Sequence, residues 1–199
     1  GGDPMKRNLI ANPQDWDNAH MGLYMSAPWV RLYGLTIIGS PSIGVFLLGQ
    51  HNIVEKCKFM FNGKHAISNT GGFADGYTKI SKNFVHANVM MNWPRGKTWG
   101  SSGGWPCSIS LHGPGNHVSG NIFWTNGGEG TPAAEIIENN IFMDNWSVNI
   151  YPDSTPNVII RNNVSLSSGL HKEDAIDREY VPPGNGLPGI YRKILTIGI

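Results

Sequence analysis

Short runs of β-branched and aromatic residues recur along the chain, and most are interrupted by a polar corner that holds Asn or Gly. Apolar positions at helical spacing (i, i+3, i+4) are almost absent, so the pattern predicts that short strands dominate the fold. The clearest runs are VRLYGLTI (30–37), NIVEKCKF (52–59), TKISKNFV (78–85), HVSGNIFW (117–124), EIIENNIF (135–142) and VIIRNNVS (158–165).

The corners within these runs recur as a repeat. Their spacings are 22, 26, 38, 19 and 23 residues, and periods of about 20 to 50 residues are typical of solenoids, propellers and arrays. The units are too short for a four-stranded propeller blade, and they lack the L-x-x-L-x-L frame of leucine-rich repeats. An all-β solenoid of about six coils is therefore predicted, with 1–199 as a single domain. The equivalent corner positions are Leu35, Cys57, Asn83, Asn121, Asn140 and Asn163.

Three segments depart from the regular coils, which we place at about 20–168. The 38-residue unit carries an inserted loop at 88–106, rich in Gly and Trp, and long loops of this kind are usually functional or disordered. The 19-residue unit leaves little room for a strand at the start of its coil. At 169–199 the repeat fades, and we expect an irregular last coil or cap there because solenoid ends need covering.

The chain contains 20 Asn residues but only 15% charged residues, against about 25% in a typical domain. An Asn at a sharp corner tolerates left-handed backbone angles and bonds to nearby main chain. Stacked coils would place one Asn over the next, so that each amide bonds to its neighbour. We therefore expect an asparagine ladder, and the abundance of Asn is interpreted as architectural.

Charge and cysteine content narrow the possible partners. The 15 basic residues nearly balance the 14 acidic ones, so there is no overall field that would attract nucleic acid. No apolar run approaches the roughly 18 residues of a membrane span. Neither a nucleic-acid partner nor a membrane span is expected. Two cysteines, Cys57 and Cys107, are too few for a disulfide framework or a zinc site.

The units VIIRNNVS, EIIENNIF and SGNIFW, with GLYMSAPWVRLYGLTI near the start, resemble the right-handed parallel β-helix repeat of the pectin-lyase-like superfamily. The resemblance covers about residues 20–168. It implies three parallel sheets, PB1, PB2 and PB3, with the Asn corner between PB2 and PB3. It also implies sugar chemistry on the outer face of PB1, a polysaccharide partner, and an extracellular or cell-envelope location. The superfamily includes lyases, hydrolases, epimerases and phage tailspikes, so the activity stays open.

The resemblance places PB1 in five segments. Strand alternation then turns successive side chains in opposite directions. In this register Cys107 is a small buried side chain and not a nucleophile. The PB1 segments are Gly22–Met25, Ile43–Leu48, Ala66–Asn69, Cys107–Leu111 and Val148–Tyr151. The residues expected to face inward are Cys107, Ile109, Leu111, Val148 and Ile150, and those expected to face outward are Ser108, Ser110, His112, Asn149 and Tyr151.

No self-contained catalytic motif occurs in the sequence, so a candidate site depends on the solenoid. A polysaccharide lyase needs a base, a cation that neutralises the substrate carboxylate, and an acid for the leaving oxygen. We assign His112 as base, Tyr151 as acid, and Arg95 or Lys97 as the cation. Ordinary surface, turn and packing roles remain the alternatives for these residues and for the substrate-binding candidates, which are His65, Asp153, Trp99 and Trp105.

Lyases of the pectate type commonly use a calcium cluster of acidic residues and a catalytic Arg. The outward PB1 positions here supply no such cluster, so no metal site or cofactor is expected. Calcium binding or a hydrolase role at Asp174 and Asp177 is left as an alternative. The favoured hypothesis is a carbohydrate-active β-helix protein, possibly of lyase type, that binds a glycan along PB1. The competing hypothesis is a non-catalytic structural, adhesive or fibre-forming solenoid, whose open end allows end-to-end self-association.

Overall fold

The computed structural model describes residues 21–69, 76–90, 107–131, 134–145, 148–152 and 156–167. All regular elements within these ranges are strands of two or three residues. In chain order the strands are β1 (Leu23–Met25), β2 (Arg31–Tyr33), β3 (Thr36–Ile38), β4 (Val45–Leu47), β5 (Ile53–Glu55), β6 (Lys58–Met60), β7 (Ile67–Ser68), β8 (Lys79–Ser81), β9 (Phe84–His86), β10 (Ile109–Ser110), β11 (His117–Ser119), β12 (Ile122–Trp124), β13 (Ile136–Glu138), β14 (Ile141–Met143), β15 (Ile159–Arg161) and β16 (Val164–Leu166).

The strands form three parallel sheets. Each of the first four turns contributes one strand to every sheet, and each of the last two contributes one strand to two of the sheets. PB1 contains β1, β4, β7 and β10, PB2 contains β2, β5, β8, β11, β13 and β15, and PB3 contains β3, β6, β9, β12, β14 and β16. Each strand pairs with the corresponding strand of the next turn. We number the turns rungs 1 to 6 by their PB2 strands. The predicted parallel β-solenoid is confirmed.

PB1 continues past β10 with isolated contacts in place of full strands. Cys107 forms a parallel bridge with Glu129, and Thr131 forms one with Ile150. The 19-residue unit therefore keeps a minimal PB1 segment at 129–131, although the sequence suggested little room for it.

The core lies between the three sheets and contains the middle residue of each PB2 and PB3 strand on rungs 1 to 5, together with PB1 residues such as Val45 and Leu47. A three-residue strand turns its middle side chain to one face and its two outer side chains to the other. The rings of Phe123 and Phe142 stack within the core with centroids 4.6 Å apart. The inward columns are Leu32, Val54, Ile80, Val118, Ile137 and Ile160 in PB2, and Ile37, Phe59, Val85, Phe123, Phe142 and Ser165 in PB3.

The corner between PB2 and PB3, named T2, holds the predicted asparagine ladder. Asn83 accepts from the backbone N–H of Cys57 at 2.9 Å, and Asn121 accepts from both the backbone N–H and the Nδ2 of Asn83 at 2.9 and 3.0 Å. Asn140 receives the same pair of bonds from Asn121, and Asn163 receives it from Asn140. The alignment of these five positions in the sequence is confirmed.

A second ladder, which the sequence interpretation missed, follows the corner between PB3 and PB1, named T3. The Oδ1 of Asn88 accepts from Nδ2 of Asn62 at 2.7 Å, and the bonds continue through Asn126 to Asn145. At most corners the residue just before the buried polar side chain has a positive φ. That backbone angle makes the sharp turn, and the Asn side chain then supplies the bonds that the turned main chain loses.

The expected facing of side chains along PB1 needs correction at its start, and Ser110, which was expected outside, is buried as well. Ser108 is fully buried and donates to the carbonyl oxygen of Glu129 at 2.9 Å, although alternation placed it outside. Asn149 is also buried, and Val148 is exposed. The reason is the bend from T3 into PB1, where two consecutive positions point inward. At Gly44, for example, a Cβ would meet Phe59 of the core at 3.3 Å, and the following Val45 is a core residue too.

Candidate functional site

His112 and Tyr151 are both exposed near the outer side of PB1, but they belong to different rungs. His112 follows β10 on rung 4, whereas Tyr151 follows Ile150 on rung 6. Two rungs at about 4.8 Å each and an offset of two residues along the strand put their Cα atoms about 12 Å apart. Acid and base at one glycosidic bond must each lie within hydrogen-bond reach of it. The spacing suits contacts with different sugars of a chain, and both catalytic assignments stay predictions.

The main chain of His112 is held firmly at the end of PB1. Its N–H donates to Oδ1 of Asn69 at 2.5 Å, and its carbonyl oxygen accepts from Asn69 Nδ2 at 3.0 Å and from Asn116 Nδ2 at 2.8 Å. These amide contacts join rungs 3 and 4 and fix where the imidazole leaves the surface.

His65 was expected on the outer surface among the substrate-binding residues, and the structure corrects that position. Its imidazole is buried, with Nδ1 2.6 Å from the carbonyl oxygen of Cys107 and 3.6 Å from its sulfur. Burial lowers the pKa of His65 to about 4, against the opposing effect of the hydrogen bond to Cys107, so the ring is neutral at neutral pH. The ring joins rungs 3 and 4 at the start of PB1.

Both cysteines are buried free thiols. Burial raises the pKa of Cys107 to about 12, and burial also raises the pKa of Cys57. A thiol that stays protonated is a poor nucleophile. The interpretation of Cys107 as a small buried side chain is confirmed.

Five of the predicted site residues lie outside the described residues. They are Arg95, Lys97, Trp99, Trp105 and Asp153, and the same holds for the calcium alternatives Asp174 and Asp177. Their assignments stay predictions. Within the described ranges, no group of three or more His, Cys, Asp and Glu side chains is arranged to hold a metal ion.

A column of aromatic rings runs along the corner between PB1 and PB2, named T1. Trp29 stacks on His51 with centroids 4.1 Å apart and planes 7° from parallel, and His51 stacks on Tyr77 at 4.9 Å and 16°. Backbone bonds from Trp29 to Gln50 and from His51 to Gly76 hold consecutive rungs together beneath the rings. We call Trp29, His51 and Tyr77 the T1 aromatic column.

All three members of the column occupy the left-handed position of their corner, with φ between 51° and 62°. This conformation costs an ordinary residue about 1–2 kcal/mol, and Gly or Asn is the usual choice. Rung 4 has Gly115 at the same place, and a Cβ there would lie 2.4 Å from the Tyr77 ring. The column therefore ends on Gly115 at one end, while Trp29 at the other end is 74% exposed.

The sequence did contain a signal for the column. An aromatic residue stands two positions before the PB2 strand in three successive units, as Trp29, His51 and Tyr77 precede Arg31, Ile53 and Lys79. The signal was overlooked because the loop between PB1 and PB2 differs in length from one rung to the next.

Two further tyrosines extend this aromatic surface around rung 1. Tyr24, on PB1, is 60% exposed and stacks on Phe46 of rung 2 with centroids 5.7 Å apart. Tyr33, on PB2, is 52% exposed. Tyr24, Trp29 and Tyr33 thus follow one another around rung 1, from PB1 through T1 to the T2 end of PB2.

Cations surround Tyr33 on the PB2 side. Lys56 Nζ lies 5.0 Å from the ring centroid and donates to the Tyr33 hydroxyl at 2.9 Å, which raises the pKa of Lys56. The Arg31 guanidinium lies 5.5 Å from the same centroid and pairs with Glu55 through Nε at 2.5 Å. These contacts hold two positive charges beside an exposed ring.

Comparison with known proteins agrees with this architecture. The family model for the right-handed β-helix region matches residues 21–169, about three quarters of the chain. No curated protein and no solved structure matches it. In the part of the chain that the structure describes, no helix has the length and hydropathy needed to cross a membrane. Three stacked parallel sheets, Asn corners and the family match together show that the chain belongs to the right-handed β-helix family, consistent with the pectin-lyase-like superfamily.

Proposed function

We propose that the protein is carbohydrate-active and binds a glycan on its outer surface, with the T1 aromatic column and Tyr24 as the binding platform. The observation that supports this most strongly is the stack of Trp29, His51 and Tyr77, with Trp29 74% exposed. Rigid aromatic faces are apolar surfaces on which the apolar face of a sugar ring packs, and their polar edges stay hydrated.

The choice of side chain at T1 also supports a role in binding. The left-handed position of the T2 corner holds Gly, Lys or Asn, as at Gly34, Lys56 and Asn139, whereas T1 places an aromatic ring there on three successive rungs. The platform lies beside the outer face of PB1, where the resemblance implied sugar chemistry.

Lyase activity is the more specific part of this proposal. His112 would act as base and Tyr151 as acid, with Arg95 or Lys97 as the cation. The separation of about 12 Å between His112 and Tyr151 favours binding over shared chemistry at one bond.

Binding to a panel of oligosaccharides, measured by isothermal titration calorimetry, tests the proposal. Trp29→Ala should weaken binding by about two- to tenfold, since one aromatic contact is worth about 0.5–1.5 kcal/mol. Val164→Ala, an exposed apolar residue of PB3 on rung 6, is the matched control and should bind as the wild type does. Equal affinities for wild type and Trp29→Ala, or no binding to any glycan, would refute the platform.

Lyase activity is tested separately: uronate polymers are incubated with the protein, and the absorbance of the unsaturated product is followed. Activity that is lost in His112→Ala and in Tyr151→Phe supports it. Binding without product formation leaves a glycan-binding protein with no lyase activity.

A non-catalytic, fibre-forming solenoid is the second candidate function. Rung 6 favours it, because Ile160 lies in the inward column of PB2 yet is 46% exposed, and β15 and β16 each pair with one neighbour among the described strands. The edge strand of a sheet can accept a strand of another copy. Filaments in electron micrographs that disappear in Ile160→Lys would support it, and a monomer at the highest soluble concentration would count against it.

A further inference from the structure

The outer face of PB3 is apolar along the whole height of the solenoid. The first and third residues of each three-residue strand point away from the core, and in PB3 nine of these twelve side chains are aliphatic, Met, Phe or Trp. On the outer face of PB2, by contrast, eight of the twelve are charged, His or Ser. The nine residues that we call the PB3 apolar face are Ile38, Met60, Phe84, Ile122, Trp124, Ile141, Met143, Val164 and Leu166.

Aromatic contacts hold the middle of the PB3 apolar face in one arrangement. The imidazole of His86 packs on the rings of Phe84 and Trp124, with centroids 5.6 and 4.9 Å away. Nδ1 of His86 lies 3.1 Å from the carbonyl oxygen of Trp124 and 3.1 Å from Oγ1 of Thr125. A surface whose side chains are already fixed loses little conformational entropy when a partner binds.

The composition of this face matches the core of a protein–protein interface. Such cores are enriched in aromatic residues and Met and are poor in Lys, Glu and Asp. Lys58, on rung 2, is the one charged side chain among the twelve outward residues of the described PB3 strands. Ile38 and Val164, at opposite ends of the face, are each more than half exposed, so the apolar surface reaches solvent from rung 1 to rung 6.

The size of the face also suits an interface. Six strands about 4.8 Å apart span about 24 Å, and three residues of strand with the breadth of their side chains give a width of about 15 Å. Each copy thus presents about 400 Å², within the range of apolar patches that mark interaction sites on soluble proteins. Two such faces in contact bury about 800–1,000 Å² in total, which corresponds to a weak, reversible interface.

We propose that the PB3 apolar face binds a second copy of this chain, PB3 against PB3, in a lateral homodimer. The PB3 of the second copy has the same height and the same apolar composition, so both copies lose apolar surface to each other. Contact between PB3 and the outer face of PB2 would instead place Glu138 and Arg161 against apolar side chains, at a desolvation cost. The contact is therefore isologous and closes at two copies.

This inference goes beyond glycan binding and differs from end-to-end association through rung 6. PB3 is bounded by the corners T2 and T3, whereas T1 joins the other two sheets. The dimer therefore leaves the T1 aromatic column exposed in both copies.

Sedimentation velocity of the full chain over a range of concentrations tests the dimer. Ile141→Lys places a charge on the PB3 apolar face at rung 5, where Ile141 is partly exposed. Ile136→Lys is the matched control, because Ile136 is likewise the first residue of its strand on the same rung but lies on the outer face of PB2. Val164→Lys, at a more exposed position of the PB3 apolar face, is a second variant that disturbs folding less. Circular dichroism checks that each variant is folded.

We expect a reversible monomer–dimer equilibrium in the micromolar range for the wild type and for Ile136→Lys, with no larger species. Ile141→Lys and Val164→Lys should each weaken dimerisation by at least about tenfold, because an unpaired ammonium group would be desolvated at two symmetry-related positions.

Three results would overturn the inference. The first is a wild-type chain that stays monomeric up to its solubility limit; a larger loss of stability in Ile141→Lys than in Ile136→Lys would then indicate that another part of the same chain covers the face. The second is a dimer that forms unchanged in both PB3 variants and so uses a different surface. The third is a series of species beyond the dimer that disappears in Ile160→Lys, which indicates end-to-end association in its place.

Discussion

Asn121 lies in the middle of the T2 ladder, and its replacement by Ala is the most direct test of how the solenoid is held together. Its Oδ1 accepts from the backbone N–H and the Nδ2 of Asn83, and its Nδ2 donates to the carbonyl oxygen of Ile80 at 2.9 Å and to Oδ1 of Asn140 at 3.0 Å. The side chain is almost completely buried. Truncation therefore leaves polar groups of two neighbouring rungs without partners and without water.

The magnitude follows from those orphaned groups. A buried donor or acceptor left unpaired costs about 1–3 kcal/mol. Asn121→Ala leaves the backbone N–H of Asn83 without an acceptor and the carbonyl oxygen of Ile80 without this donor. We expect the free energy of unfolding to fall by about 3–5 kcal/mol, a large part of the total stability of a domain. Asn121→Asp keeps the acceptor but turns a carboxylate oxygen toward the acceptor oxygens of Ile80 and Asn140 in a buried site, so its loss should be at least as large.

Urea denaturation followed by circular dichroism measures this change. Asn139→Gly is the matched control, because Asn139 belongs to the same corner one rung later but its side chain is exposed and its φ of 56° suits glycine. It should change stability by less than about 0.5 kcal/mol. A loss below about 1 kcal/mol for Asn121→Ala would show that the ladder follows from the stacked coils and does little to hold them.

Two further outcomes follow from burial. Burial lowers the pKa of His65 and of His86 from 6.5 to about 4, so the folded state favours the neutral rings; their stabilisation is complete above the unfolded pKa and is lost as pH falls from about 6.5 toward 4. At about pH 5 each of the two histidines should lower the free energy of unfolding by about 2 kcal/mol relative to neutral pH. Denaturation curves that coincide at the two pH values, or a His86→Gln variant with the same pH dependence as the wild type, would contradict this. Gly44→Ala should destabilise by about 1–3 kcal/mol because its Cβ would lie 2.5 Å from the carbonyl oxygen of Ala66. Gly34→Ala should cost only about 1 kcal/mol, since its Cβ meets nothing within 4 Å and only φ of 68° opposes it; a thermal melt in which Gly34→Ala is the less stable variant would reverse the argument.

The T2 ladder could be aligned from the sequence because a single residue type repeats at the point where the chain must turn. Asn83, Asn121 and Asn140 each follow a β-branched run and occupy one register, so local chemistry was enough. The T3 ladder was harder to find, since its Asn residues lie where each unit merges with a PB1 segment of variable length. Asn62 and Asn88 therefore had no fixed run beside them in the sequence.

The candidate site was predicted less well than the fold, and PB1 shows why. Alternation holds along a straight strand, as it does at Ile109 and Leu111, which both lie in the core. At the bend into PB1 two neighbouring residues turn inward, so Ser108 became buried against Glu129 and His65 was enclosed beside Cys107. A shift of one residue in the alternation exchanges the inward-facing and outward-facing side chains, and the sequence period alone does not reveal where the bend falls.

The sequence by itself determined the local rules of this protein: strands of a few residues, corners that need Asn or a left-handed residue, and a repeat that stacks these corners. Such features depend on neighbouring residues, so composition and spacing express them. Only the tertiary structure decided which residues 19 to 43 positions apart meet across rungs. It stacked Trp29 on His51 and His51 on Tyr77, and it enclosed His65 beside Cys107. Contacts between rungs depend on loop lengths and on the direction of each bend, which are properties of the stacked coils and not of any one repeat.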